Sequence, residues 1–218
     1  MTETPPTPDP YVRQTPMAAL WALVALLVGI ELLLQLGDSG YGGLSRRWVF
    51  LHGAFWNPLL NGTNPLFDLQ PVTMFLTHAL LHGGLFHVAM NATVILSIGK
   101  LVTDLSGPAR TILLFIITAI AGGGAFALLG PQEPIPMVGA SGAAFGFIAA
   151  WKRWEFDFLR ATGRSIRPVA TFVGGLTALN VVLHFAMGGM LAWEAHLGGA
   201  MAGWLVAPFL SRPYAGRF

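Results

Sequence analysis

Cysteine is absent from all 218 residues, which excludes disulfides, thiol nucleophiles and thiolate metal sites and leaves no trace of the redox compartment. Charge is scarce too: Asp, Glu, Lys and Arg make up 10% of the chain, against roughly 25% in a typical soluble domain. With 54% hydrophobic residues, that deficit points to lipid as the surrounding medium. Twelve basic residues against ten acidic ones leave a formal charge of +2, too small an excess to coat a phosphate-binding surface, so no nucleic-acid partner is expected. No charged or low-complexity break divides the chain, which favours one compact domain. The polar, Pro-rich segment 1–16 lacks the basic start of a secretory signal, and no small-residue cleavage site follows the next apolar run. That run therefore reads as a retained first span.

What the sequence does contain is a series of apolar runs. AALWALVALLVGIELLLQL at 18–36, interrupted only by Glu31, matches the roughly 20 residues a helix needs to cross a bilayer. Further spans are expected at about 80–99, at 110–130 with Gly122, Gly123 and Gly124, at 141–158, at 168–187 with Pro168 near its start, and at 191–210. Between the first two lies a long segment, 37–76, mixing Gly, Asn, Pro and Asp with Trp48, Phe50, Phe55, Trp56 and Phe67. Short amphipathic elements at headgroup level suit that mixture, or a cover over the side of the bundle. The three prolines of PQEPIPMVGASG mark a connection before the fourth span.

The basic residues test this count independently. Six spans place Arg13, Lys100, Arg110, Lys152, Arg153, Arg160, Arg164, Arg167, Arg212 and Arg217 on one side, ten of the twelve, and Arg46 and Arg47 on the other. By the positive-inside rule both termini are expected to be cytoplasmic.

Polar groups inside such spans are costly and point to function. His82, His87 and Asn91 belong to the second span, with His78 just before it, and His87 and Asn91 share one helical face. Ser141 opens the fourth span inside Gly-Ala-Ser-Gly, and His196 lies near the start of the sixth. All of them fall toward the outer face, so a serine and a histidine from different helices could meet below the membrane surface. Free N–H groups at the start of a helix could then stabilise a developing oxyanion. Taken singly, Ser141 reads better as a helix cap than as a nucleophile, and His196 reads equally well as a packing residue. A metal centre at His78, His82 and His87 is not expected, because no carboxylate accompanies them locally.

Three ordered motifs, HALLHGGLFHVAMN at 78–91, GASG at 139–142 and AHLGGAMAG at 195–203, resemble those of the rhomboid family of intramembrane serine proteases. The resemblance implies an all-α fold, a polytopic membrane protein built as a six-transmembrane-helix rhomboid-like bundle over 18–210. A cytoplasmic tail at 1–17 and a short basic tail at 211–218 would flank it. It implies Ser141 as nucleophile and His196 as general base, with His87, Asn91 and Gly139 about the oxyanion and substrate pocket. His82, Gly199 and Gly203 would support the site, and Glu194 would take no part in the chemistry. The loop from about 186 to 193 resembles a flexible cap with Met187, Met190 and Leu191 as apolar plugs. One departure stands out: Thr73 and Met74 occupy the places of a Trp–Arg pair found in many members, and Arg46, Arg47 and Trp48 are candidates for a comparable anchor.

The expected activity is hydrolysis of peptide bonds in or next to transmembrane segments, without cofactor or metal. The expected partners are single-pass or other membrane-protein substrates and the lipid bilayer, and the expected location is a bacterial inner membrane with the site opening outward. A catalytically silent membrane-protein binding module, or a small transporter using Glu31, are the alternative readings.

Overall fold

The computed structural model describes residues 17–41 and 44–211. The tails expected at 1–17 and 211–218 fall outside the described residues except for Met17 and Ser211, as do Arg13, Arg212 and Arg217. The described chain is all-α. In order it forms α1 (Ala18–Asp38), α2 (Arg46–Gly53), α3 (Gln70–Thr77), α4 (Leu85–Ser106), α5 (Pro108–Leu129), α6 (Ser141–Ala161), α7 (Arg167–Ala186) and α8 (Trp193–Leu210), with short 3-10 turns at Asn57–Leu60 and His78–Leu80.

Four of these, α1, α4, α5 and α7, are long and apolar enough to cross a membrane. Their outward faces carry large bare side chains: Leu128 is 83% exposed, Phe185 77% and Phe86 80%. A water-soluble fold does not scatter such residues over whole helices, and lipid is the medium that accepts them. The protein is an integral, multi-pass membrane protein. α6 and α8 are of similar length but fall short in apolarity. α6 carries Lys152, Arg153, Glu155, Asp157 and Arg160, and α8 carries Glu194 and His196.

Helix ends follow local chemistry. α4 starts at Leu85, later than the expected 80, because Gly84 at φ 144° breaks the chain there. It then runs past Lys100, expected in a connection, as far as Ser106. Lys100 and Asp104 pair at 2.7 Å one turn apart on its surface, which suits helix as well as loop. Gly107 alone joins α4 to α5, and Pro108 opens α5, where its missing N–H costs nothing. The Thr103, Ser106 and Thr111 hydroxyls bond one another and local carbonyls inside this hairpin.

The segment 37–76 folds into α2, the 3-10 turn and α3, the short elements its composition suggests. Its aromatics divide: Phe55 is fully buried against Phe75 and Phe126, whereas Trp48 lies exposed over the His52 ring. A single bridge, with Phe55 and Met137 exchanging backbone hydrogen bonds of 3.0 Å, joins this segment to the stretch before α6.

The anchor of that segment is Arg46. Its Nη atoms donate to both oxygens of Glu31 at 2.8 and 2.9 Å, its Nη1 also to the His82 carbonyl at 2.7 Å, and its Nε to Asp38 at 2.8 Å. Glu31, the apparent flaw in the first apolar run, is fully buried and also accepts from Gln35 at 2.9 Å. Its hydrogen bonds hold the Arg46 guanidinium above the usual arginine pKa. One arginine thus ties α1, α2 and the stretch just before α4 together. Removing it strands a buried carboxylate. Arg46→Ala is expected to cost about 3–5 kcal/mol, and the double variant Arg46→Ala/Glu31→Leu to cost less. Thermal unfolding in detergent, with denaturant series where reversible, measures both.

Candidate active site

The site lies where α6 and α8 touch. Gly199 and Gly203 of α8 sit directly on the Gly142 and Gly146 carbonyls of α6, so a Cβ at either position would drive into backbone. Gly122 of α5 and Gly142 of α6 are equally confined under the Ala195 carbonyl, 3.0 Å from where a Cβ would stand. Three helices therefore approach through missing side chains, as small residues allow in membranes.

At one end of this contact Ser141 begins α6. Ala140 occupies the cap position and no side chain caps the helix, so Ser141 is not the helix cap that its place in the sequence allowed. Its hydroxyl instead lies 2.8 Å from Nε2 of His196, one turn into α8. His196 is 8% exposed, and Phe145, one turn after Ser141, stacks on its ring at 4.2 Å and 7°. Nδ1 of His196 lies 2.7 Å from Oδ1 of Asn180 on α7.

The approach to Ser141 is lined by three histidines earlier in the chain, His78, His82 and His87. Gly139 has φ +129°, a conformation L side chains rarely adopt, and its N–H donates to the His78 carbonyl at 2.9 Å. The Ala140 N–H points at Nε2 of His82 at 3.4 Å, and Nε2 of His78 lies 3.3 Å from the Ala119 carbonyl. His87 stands against Gly139, its Cε1 and Nε2 both 2.9 Å from where a Cβ would be. The Gly83 N–H donates to Nδ1 of His87 at 3.3 Å, which leaves the ring proton on Nε2, the atom beside Gly139. Asn91, one turn on, is buried and donates from Nδ2 to the His87 carbonyl at 3.0 Å. Among the described residues no group of three His, Asp or Glu is arranged to hold a metal.

The structure thus brings together Ser141, His196, His87, Gly139 and His82, with Gly199 and Gly203 setting the helix spacing. Asn91 belongs to the same wall, but its amide turns to its own helix. Glu194 is buried in the first turn of α8 and makes no hydrogen bond to His196. Of the three expected apolar plugs, Met187 is 44% and Met190 81% exposed, while Leu191 is half-buried and its carbonyl lies 3.2 Å from Nδ1 of His184. Gly188 and Gly189 both take positive φ, 63° and 83°, in the turn that leaves α7.

Two neighbours of His196 were not singled out in the sequence. Phe145 was accessible to helical spacing, four residues after Ser141. Asn180 carried a weaker sign, a carboxamide inside an apolar span, where polar groups need a partner. Both line a cavity of about 690 Å³ between α6, α7 and α8 that extends from His196 to Lys152 and is otherwise almost wholly apolar.

A serine hydroxyl bonded to a histidine from another helix, beside free helix N-terminal N–H groups, can perform nucleophilic acyl transfer. Comparison with known proteins gives the family. Residues 70–213 match the Rhomboid domain. Rhomboid protease GluP of Bacillus subtilis is 30% identical over 145 residues, covering 66% of this chain but only 27% of the length of that protein. The uncharacterized protein Rv1337 of Mycobacterium tuberculosis is 29% identical over 229 residues, covering 97% of this chain and 84% of the relative. ML1171 of Mycobacterium leprae, also uncharacterized, is 31% identical over 137 residues, 61% of this chain and 54% of the relative. With its helical membrane architecture and a domain match over most of its length, the chain belongs to the rhomboid family of polytopic membrane proteins.

Proposed function

We propose that the protein is an intramembrane serine endopeptidase that hydrolyses peptide bonds in or next to transmembrane segments of membrane-protein substrates. The observation that carries this reading is the 2.8 Å contact between Ser141 Oγ and His196 Nε2 at the junction of two helices inside a membrane bundle. In the reaction, His196 Nε2 takes the hydroxyl proton as Ser141 Oγ attacks the scissile carbonyl carbon. The tetrahedral oxyanion is met by the Ser141 N–H and by the Nε2–H of His87, with Asn91 and Gly139 shaping the pocket. Collapse breaks the C–N bond, and His196 returns the proton to the leaving amine. Water, deprotonated by His196, then releases the acyl group from Ser141.

Access and topology belong to the same reading. α6 and α8 add two crossings to the four apolar helices, giving six, with 18–210 as the membrane domain and tails at 1–17 and 211–218. Both termini then lie in the cytoplasm of a bacterial cell, and Ser141 opens toward the outer face. α6 and α8 tolerate their charges because they contact other helices more than lipid; Lys152, for example, is 6% exposed and pairs with Glu155 at 2.7 Å. A substrate helix must unwind locally, since its carbonyls are otherwise hydrogen-bonded.

The direct test is reconstitution in liposomes with a fluorogenic transmembrane substrate. The parent is expected to cleave, and folded Ser141→Ala and His196→Ala variants are not; a fluorophosphonate should label the parent at Ser141. Cleavage surviving either substitution would refute the assignment. His87→Ala is expected to lower kcat by about 10²–10³-fold with KM little changed, the loss typical of one oxyanion donor. Single-turnover acylation rates would show that loss in the attack step.

A further inference from the structure

We propose that Asn180 of α7 is a positioning residue for His196, fixing the imidazole tautomer in which Nε2 is free to accept the Ser141 proton. The inference deepens the hydrolase reading above and rests on it for its catalytic consequence. It stands first on geometry. Nδ2 of Asn180 donates to the Leu176 carbonyl one turn back, at 3.1 Å, which commits the amide nitrogen to its own helix. The oxygen of the same amide then faces Nδ1 of His196 at 2.7 Å. A carboxamide oxygen can only accept, so Nδ1 carries the ring proton. A neutral imidazole holds one proton, and Nε2 is left with its lone pair toward Ser141 Oγ at 2.8 Å.

No other contact does this. Among the described residues, Asn180 is the only hydrogen-bonding partner of Nδ1. Phe145 stacks on the ring and sets its plane, but a stacked face is indifferent to which nitrogen is protonated. Around both residues the cavity walls are apolar, which weakens competition from water for either nitrogen. As the ring becomes imidazolium during attack, the contact becomes charge-assisted and strengthens.

The helix that supplies Asn180 adds a second consequence. Val169 is the only buried residue of α7. The outer half of α7 meets α8 through this hydrogen bond across a largely unfilled cavity. His196 therefore has its partner only while α7 is seated.

The experiment compares the parent with Asn180→Leu and Asn180→Asp in liposomes, using the same transmembrane substrate and samples with matched unfolding temperatures. Leucine keeps the shape and removes the acceptor, whereas aspartate keeps an acceptor. The expected result for Asn180→Leu is a fall in kcat of about ten- to a hundredfold, the worth of one hydrogen bond to a charged group, with KM unchanged. Asn180→Asp is expected to return kcat to within about tenfold of the parent. In parallel, ¹⁵N spectra of histidine-labelled protein, with His196 assigned by its substitution, should show the Nδ1–H tautomer in the parent and its loss in Asn180→Leu. An unchanged kcat and tautomer in Asn180→Leu would overturn the proposal. So would a loss that aspartate does not restore, or a rise in KM alone. The spectra do not require turnover: a parent that never cleaves, but whose His196 tautomer depends on Asn180, would sink the hydrolase reading and leave the positioning intact.

Discussion

Two helix backbones touch where Gly199 and Gly203 of α8 rest on the Gly142 and Gly146 carbonyls of α6, and the site depends on that contact. In lipid there is little hydrophobic gain in bringing helices together, so close packing of the backbones themselves sets the spacing. Thr118 of α5 fills the remaining side of Gly146, and Gly122 clears the Ala195 carbonyl, which locks the third helix into the same arrangement. A hydrogen bond tolerates only a few tenths of an ångström. The 2.8 Å separation of Ser141 and His196 is therefore a consequence of four absent side chains as much as of the two residues present.

The distribution of polarity follows from the same packing. Helices that meet lipid, α1, α4, α5 and α7, qualify as spans by composition alone, and the two central helices do not. α6 and α8 are solvated largely by protein, which lets them hold Ser141, His196 and Glu194 near one end and Lys152 and Arg153 toward the other. Each buried polar group must then find its partner inside the bundle. Glu31 illustrates the cost: with Arg46 and Gln35 bonded to it, a carboxylate in an apolar helix becomes the point to which the first connecting segment is tied.

Much of this was legible because helical membrane proteins write their geometry locally. The ends expected for α1, α7 and α8 lie within about two residues of those observed, and Ser141 and His196 stood out as polar residues embedded in glycine-rich motifs. α4 was misjudged at both ends for physical reasons. Gly83 and Gly84 look like ordinary small residues of a span until the backbone at Gly84 turns to φ 144°, and a surface Lys100–Asp104 pair is indistinguishable in sequence from a polar loop. Long-range contacts were beyond reach. Arg46 bonds residues 15 and 36 positions away, and Asn180 meets His196 across a loop, so neither partner has a periodic signature. The turns at Gly188 and Gly189, between the exposed Met187 and Met190, are likewise not disclosed by a run of small and apolar residues.

α7 shows how such a long-range contact matters. A helix with one buried side chain gains little packing energy from its neighbours, so drawing it away from α6 and α8 forfeits few dispersion contacts. What it forfeits is directional: the Asn180 oxygen leaves Nδ1 of His196, and the ring loses the acceptor that assigns its proton. Widening the apolar cavity and preparing the base are then opposed events on one helix. If the proposed hydrolysis operates and a substrate segment enters beside α7, it would have to leave room for Asn180 to return before His196 could act, which would couple acceptance of a substrate to its attack.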